Sequence, residues 1–192
     1  MRTTALLVLV FVAVPCQSAQ RPRHPYLSRW KHAAFGIRPL AGVTAGAAFA
    51  QLRNAPYRWG GGIAGFGKRL GAGLAIHTVN ITVEHLVAAP LHEDLDYHPS
   101  QERGIKRQLV HALVSTVVVR NTRSGKSRPA LGRISGHAAA GVFAEVALSG
   151  LSGASTAGIG FAADAGVNVI REFLPCRRYT PPRPAPASGA RH

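Results

Sequence analysis

Leu131-Gly132-Arg133-Ile134-Ser135-Gly136-His137-Ala138-Ala139-Ala140-Gly141-Val142-Phe143-Ala144 is the stretch on which the fold turns. Gly132, Gly136, Ala140 and Ala144 recur at intervals of four, which sets them on one face of a helix. A face without side-chain bulk lets a second helix come close. Each interior glycine costs about 1 kcal/mol against alanine, so such a helix needs compensating contacts. The same spacing recurs at Gly42, Gly46 and Ala50, at Gly67, Gly71 and Ala75, and at Gly150, Ala154, Gly158, Ala162 and Gly166. The expectation is an all-α chain. It forms a single bundle of four to five closely packed Gly/Ala-rich helices, joined through Gly67, Gly71, Gly132, Gly136, Ala154, Gly158, Ala162 and Gly166.

Working outward, punctuation residues set the helix limits. The pattern predicts helices over about 37–53, 61–88 (stopped by Pro90), 130–148 and 154–173. Another opens after Pro99, with Ser100 as N-cap and Glu102 in its first turn. In the last helix Ile159, Ala163, Val167 and Ile170 share one face, and Asp164, Asn168 and Arg171 another, the pattern of an amphipathic helix. Residues 79–84 alternate like a strand, but Ile76, Val79, Val83 and Leu86 also fit helical spacing, and the uninterrupted flanks favour the helix. The segment 116–128 is open between helix and a short β-hairpin turning at Ser124-Gly125.

The ends differ from this middle. Residues 1–19 read as a signal peptide: Arg2, the apolar run Ala5–Val14, then Pro15 and a short polar stretch. Ten apolar residues are too few to span a bilayer. Ala13-Val14-Pro15-Cys16 echoes a lipidation box, but Pro15 stands where a small flexible residue is needed. With the leader removed, Cys176 is the only cysteine, so no internal disulfide holds the fold. Residues 20–36 are basic and read as unstructured, 37–174 as the helical domain, and 175–192 as a Pro/Arg-rich tail.

The 192 residues carry 23 Lys+Arg against 8 Asp+Glu, a net charge of +15, while 46% are hydrophobic. That is too apolar for a disordered polycation. Arg103, Lys106, Arg107, Arg120, Arg123, Lys126, Arg128 and Arg133 fall in an acid-free stretch, the candidate surface for an anionic partner. No aromatic residue interleaves them, which argues against stacked bases and so against nucleic acid. The acids cluster instead at 84–102. There His92, Glu93, Asp94 and His98 offer metal-type ligands, but in no established ligand spacing, and a capping or salt-bridging loop is the reading preferred. Ser124-Gly125-Lys126-Ser127 resembles the end of a phosphate loop, yet Arg120 stands where that motif needs its first glycine. His77, Asn80, Glu84, His111, His137 and Glu145 interrupt apolar faces and read as satisfied contacts between helices. No cofactor and no catalytic residue are implied.

Trp59-Gly60 followed by Gly65-Phe66-Gly67-Lys68-Arg69-Leu70-Gly71 resembles the opening motif of a family of uncharacterised exported bacterial envelope proteins. The similarity continues through Glu84, Glu93-Asp94 with Tyr97, Arg103-Gly104, Arg128-Pro129-Ala130, Gly136 and Glu172-Phe173, about 55–174. Asp94-Leu95-Asp96-Tyr97 departs from the Asp-Pro-Arg-Tyr of that family. The resemblance implies export and helical character, with no assigned activity.

The expected function is therefore non-enzymatic. The chain is exported, periplasmic or outer-membrane-associated, and adheres to anionic lipid or lipopolysaccharide through its basic face. Two alternatives accompany it: a membrane-inserted glycine-zipper homo-oligomer, and a metal-dependent enzyme. Against insertion, Val146–Ala163 is rich in Ser, Thr and Gly, and His77, Glu84, His111 and Glu145 interrupt the other apolar runs.

Overall fold

The computed structural model describes residues 25–100 and 104–173. The expected leader with Cys16, Arg103 and the expected tail with Cys176 lie outside them. The described chain is all-α with one short hairpin. Its elements are α1 (Pro25–Phe35), α2 (Ile37–Leu52), α3 (Gly62–Leu91), α4 (Ile105–Val117), β1 (Val118–Arg120), β2 (Ser127–Pro129), α5 (Leu131–Ala147) and α6 (Gly153–Phe173). Helix α1 corrects the expectation of an unstructured N-terminal segment. Only Gly36, in extended conformation, separates it from α2.

Local chemistry explains the other limits. The α2–α3 reversal uses Asn54 at φ 51°, a cis Ala55–Pro56 bond, a 3-10 turn at Tyr57–Trp59 and Gly60 at φ 72°. Helix α3 passes through Pro90 and closes at Leu91, with His92 taking the left-handed conformation as its cap. Ser100 does not cap α4. Its N–H and hydroxyl bond Glu172 instead, and α4 starts at Ile105 behind Gly104 at φ 117°. The hairpin pairs Val118 with Pro129 and Arg120 with Ser127. Asn121 Oδ1 closes its turn by accepting from Arg123 N–H (3.0 Å) and Ser124 N–H (2.8 Å). Ser124–Ser127 thus belongs to a hairpin turn, with Gly125 at φ 67°.

Helix α3 is the spine. Antiparallel to it run α1 and α2, with Trp30 Nε1 donating to Thr82 Oγ1 (3.2 Å) and Val43 against Gly73. Helix α5 runs antiparallel on another side. A Cβ at Gly132 would stand 2.8 Å from that of Ala88, and one at Gly136 would stand 2.7 Å from the Asn80 carbonyl oxygen. Helix α6 packs on α5 through Gly141 against Gly153 and Gly160 against the His137 ring. Asn168 Nδ2 on α6 reaches Thr116 Oγ1 on α4 (3.1 Å).

The small-residue faces therefore need correction. Gly132 and Gly136 make the close approach, but Gly67, Gly71, Gly158 and Gly166 have nothing within 4 Å of a Cβ position, and Ala154 and Ala162 are exposed. On α6 the packed face is Gly153, Gly160, Asp164 and Asn168, nearly opposite the expected stripe.

What fills the interior is unusual. The buried apolar residues are Ala34, Ala47, Ala72, Ala88, Ala112, Ala130, Ala140, Ala144 and Val119, and no large side chain is fully buried among the described residues. Arg69, Glu84, Arg133, His137 and Asn168 are buried beside them. Outside lie Ile63 (92% exposed), Leu52, Ile37, Val146 (82%), Leu86 and Ile159. Helix α6 is amphipathic as expected but turned the other way: Asn168 is buried, while Ile159, Val167 and Ile170 face out. Two stretches, Leu27–Leu52 (mean hydropathy 1.3) and Gly62–Leu91 (1.2), are by length and composition long enough to cross a bilayer, and each is only 11% buried.

Candidate functional site

Four ionisable side chains from three helices meet inside. Arg133 and His137, four apart on the inner face of α5, look across at Glu84 on α3 and Asp164 on α6. Arg133 Nε lies 3.5 Å from Glu84 Oε1 and 3.7 Å from Asp164 Oδ2, and its Nη1 donates to the Ser115 and Thr116 carbonyls (both 3.0 Å). His137 Nε2 donates to Asp164 Oδ2 at 2.9 Å, while Phe161 covers its ring at 4.3 Å. A carboxylate only accepts, so the hydrogen sits on Nε2. The sequence places this cluster by pairing Gly132 and Gly136 with Arg133 and His137: glycine brings α3 near, and the long polar side chains fill what glycine leaves.

A cleft of ≈ 170 Å³ adjoins the cluster between α3, α5 and α6, lined by His77, Asn80, His137, Thr156, Gly160 and Asp164, among others. His77 Nε2 donates to the Ala33 carbonyl (3.0 Å) and Thr156 Oγ1 to the Ser152 carbonyl (2.9 Å). Asn80 Oδ1 is fully buried with no hydrogen-bond partner, pressed against Gly136. A second hollow of ≈ 250 Å³ under the hairpin touches Leu91, Glu93 and Arg128. Both Glu93 oxygens there are engaged, by the N–H groups of Leu131 (3.0 Å) and Gly132 (2.9 Å).

The other expected residues fall as follows. Lys106, Arg107, Arg120, Arg123, Lys126 and Arg128 are exposed, on the first turn of α4 and on the hairpin. Arg103 lies outside the described residues. Arg133 does not belong to that surface: it is buried, because α5 turns it toward two carboxylates. His92, Glu93, Asp94 and His98 do not converge as a ligand set. Glu93 caps α5, His98 pairs with Asp94 (3.0 Å), and the His92 carbonyl accepts from Thr122. Among the described residues no group of three or more His, Cys, Asp or Glu could hold a metal ion. Of the other polar residues expected between helices, Glu145 is exposed and accepts from Gly153 N–H at the start of α6, and the half-buried His111 bonds the His98 carbonyl.

Two features lay beyond sequence reasoning. Arg69, 3% exposed, spends all five donors on the Ala55, Gly60 and Pro56 carbonyls and the Gln51 and Asn54 amides, so it pins the α2–α3 reversal. A signal existed: no acid precedes Glu84, so an arginine there has no carboxylate within its own stretch of chain. Tyr97 donates to Glu172 Oε2 (2.6 Å). Burial first, then that bond and the carboxylate charge, hold its hydroxyl pKa above the usual phenol range. In comparison with known families, curated proteins and solved structures, nothing matches the chain.

Proposed function

We propose that the chain is a non-enzymatic, membrane-inserted helical bundle of the cell envelope, held at anionic headgroups by its basic hairpin. One observation carries this reading: many large apolar side chains face out, while Arg69, Glu84 and Arg133 lie buried among alanines. In water each exposed Ile or Leu forgoes about 1.5–3 kcal/mol of burial, and alanine returns little of it. Against lipid tails those side chains need no cover, while interior polar groups must find partners within the protein. The Arg133 cluster and the five-bond Arg69 fit that demand.

The ends support the same arrangement. Helix α3, 30 residues and about 45 Å long, exceeds a ~30 Å hydrocarbon core. At one end of it stand Arg53, Tyr57, Arg58 and Trp59, the residue types of membrane interfaces. At the other stands the hairpin with Arg120, Arg123, Lys126 and Arg128, each worth about 1 kcal/mol beside anionic lipid. Export rests on the leader and on the family resemblance. The surface-bound reading shares the basic face but leaves the outward Ile and Leu in water.

Extraction of membranes from the exporting cell with alkaline carbonate tests the choice. The expected result is retention in the pellet, with release only by detergent. Release by carbonate would return the protein to the membrane surface, and recovery in the soluble fraction would overturn both readings.

A further inference from the structure

The geometry points to the cleft between α3, α5 and α6 as a binding site for a small primary ammonium ion, seated on Asp164. The inference stands on the cleft itself and not on insertion in a membrane.

The lining is rich in acceptors. Thr156 Oγ1 gives its only hydrogen to the Ser152 carbonyl, so the oxygen keeps lone pairs. His77 holds its hydrogen on Nε2, against the Ala33 carbonyl, and its Nδ1 is left an acceptor in the neutral ring. Asp164 Oδ2 serves His137 and Arg133, whereas Oδ1 accepts no hydrogen bond from a described residue; the carboxylate is 39% exposed where it borders the cleft. The amide nitrogen of Asn80 is the one lining side-chain donor without a described acceptor.

Charge points the same way. Arg133 stands between two carboxylates at 3.5 and 3.7 Å, so a single positive charge faces Glu84 and Asp164 together. His85 and His137 lie near Glu84, and Arg171 farther along α6 divides its attraction between Asp164 and Asp96 beside Arg38. Because Arg133 is shared with Glu84, Asp164 keeps negative charge toward the cleft, where a cation can meet it. Size and chemistry select among cations. At ≈ 170 Å³ the space lies below the roughly 300 Å³ at which drug-sized pockets begin. A single carboxylate with an imidazole and a hydroxyl is a poor cage for a divalent metal, which takes six or more oxygens or a dedicated ligand set. Three acceptors spread over two helices, Thr156 and Asp164 on α6 and His77 on α3, match an ion that carries three N–H donors in fixed directions.

The test is thermal unfolding of the full mature chain in mild detergent, followed by the fluorescence of Trp30 and Trp59. Methylammonium chloride is titrated against KCl and tetramethylammonium chloride at equal ionic strength. The expected result is a saturable rise in Tm with methylammonium alone, about 5–10 °C at about 100 times Kd. Asp164→Asn removes the charge, and Ala163→Leu fills the cleft while leaving the His137–Asp164 pair in place; both are expected to lose the rise. If Asp164→Asn does not fold, Ala163→Leu decides alone. No rise, an equal rise with KCl or tetramethylammonium, or a rise that survives Ala163→Leu overturns the site. Carbonate extraction is unaffected by any of these results, so this inference and the proposed function fail separately.

Discussion

Arg133 joins more of the molecule than any other side chain described above. It touches Glu84 on α3, Asp164 on α6 and the carbonyl ends of α4 from its place on α5. Replacing it by methionine leaves the buried Glu84 carboxylate without its partner, with the half-exposed Asp164 close by. The expected loss is about 3–5 kcal/mol, the cost of stranding buried charge. Unfolding of Arg133→Met measures it. In the double variant Glu84→Leu, Arg133→Met the loss is expected to fall short of the sum of the two single losses, because the stranded pair goes together. Additive losses would mean the two side chains are not energetically coupled. This cluster was only half legible in the sequence. Glu84 and His137 stood out as polar residues in apolar settings. Arg133 was grouped with its basic neighbours, because sequence proximity cannot tell a residue on the inner face from Arg128 on a hairpin five positions earlier.

At the level of helices, glycines of equal standing in the sequence meet different fates. Gly136 has the Asn80 carbonyl oxygen 2.7 Å from where a Cβ would stand, whereas Gly158 has open space. Gly136→Ala is therefore expected to destabilise by about 1–3 kcal/mol through overpacking. Gly158→Ala is expected to stabilise by up to about 1 kcal/mol through helix propensity. Thermal melts of the two variants, of identical chemistry, read the opposite signs; two shifts of the same sign would refute the packing described. Five helices and most of their limits were legible, since a period of 3.6 and turn residues carry that information locally. So was the hairpin, as one of two options held open. Helix α1 was not, nor that α3 runs through Pro90 and α4 starts at Ile105. Nor was the inward face. A stripe says that two sides of a helix differ, and only the surroundings say which side is buried. On α6 two faces of small residues lie about half a turn apart, Gly153 and Gly160 packed, Gly158 and Gly166 open. Nothing within that helix ranks them.

Over the whole molecule, the positive excess is not spread evenly. The first acid of the chain is Glu84, so the reversal between α2 and α3 contains no carboxylate at all. Arg69 there is bonded only to carbonyl and amide oxygens, which carry no charge for dissolved ions to shield. At the far end of α3 the connection to α4 leans on carboxylates: Asp96 with Arg29 at 3.7 Å, and Asp94 accepting from His98 Nε2 (3.0 Å) and from Asp96 N–H. Exposed pairs of that kind weaken as salt rises. Ionic strength thus acts as a dial that turns one end only. Amide exchange at Asp96 is expected to quicken a few-fold between low and molar NaCl, while the Trp59 and Gly60 amides keep their rates; equal responses would show that the guanidinium clasp is not what secures its end. A bilayer protein with one salt-blind terminus and one salt-responsive terminus would carry its sensitivity to the surrounding medium on a single side.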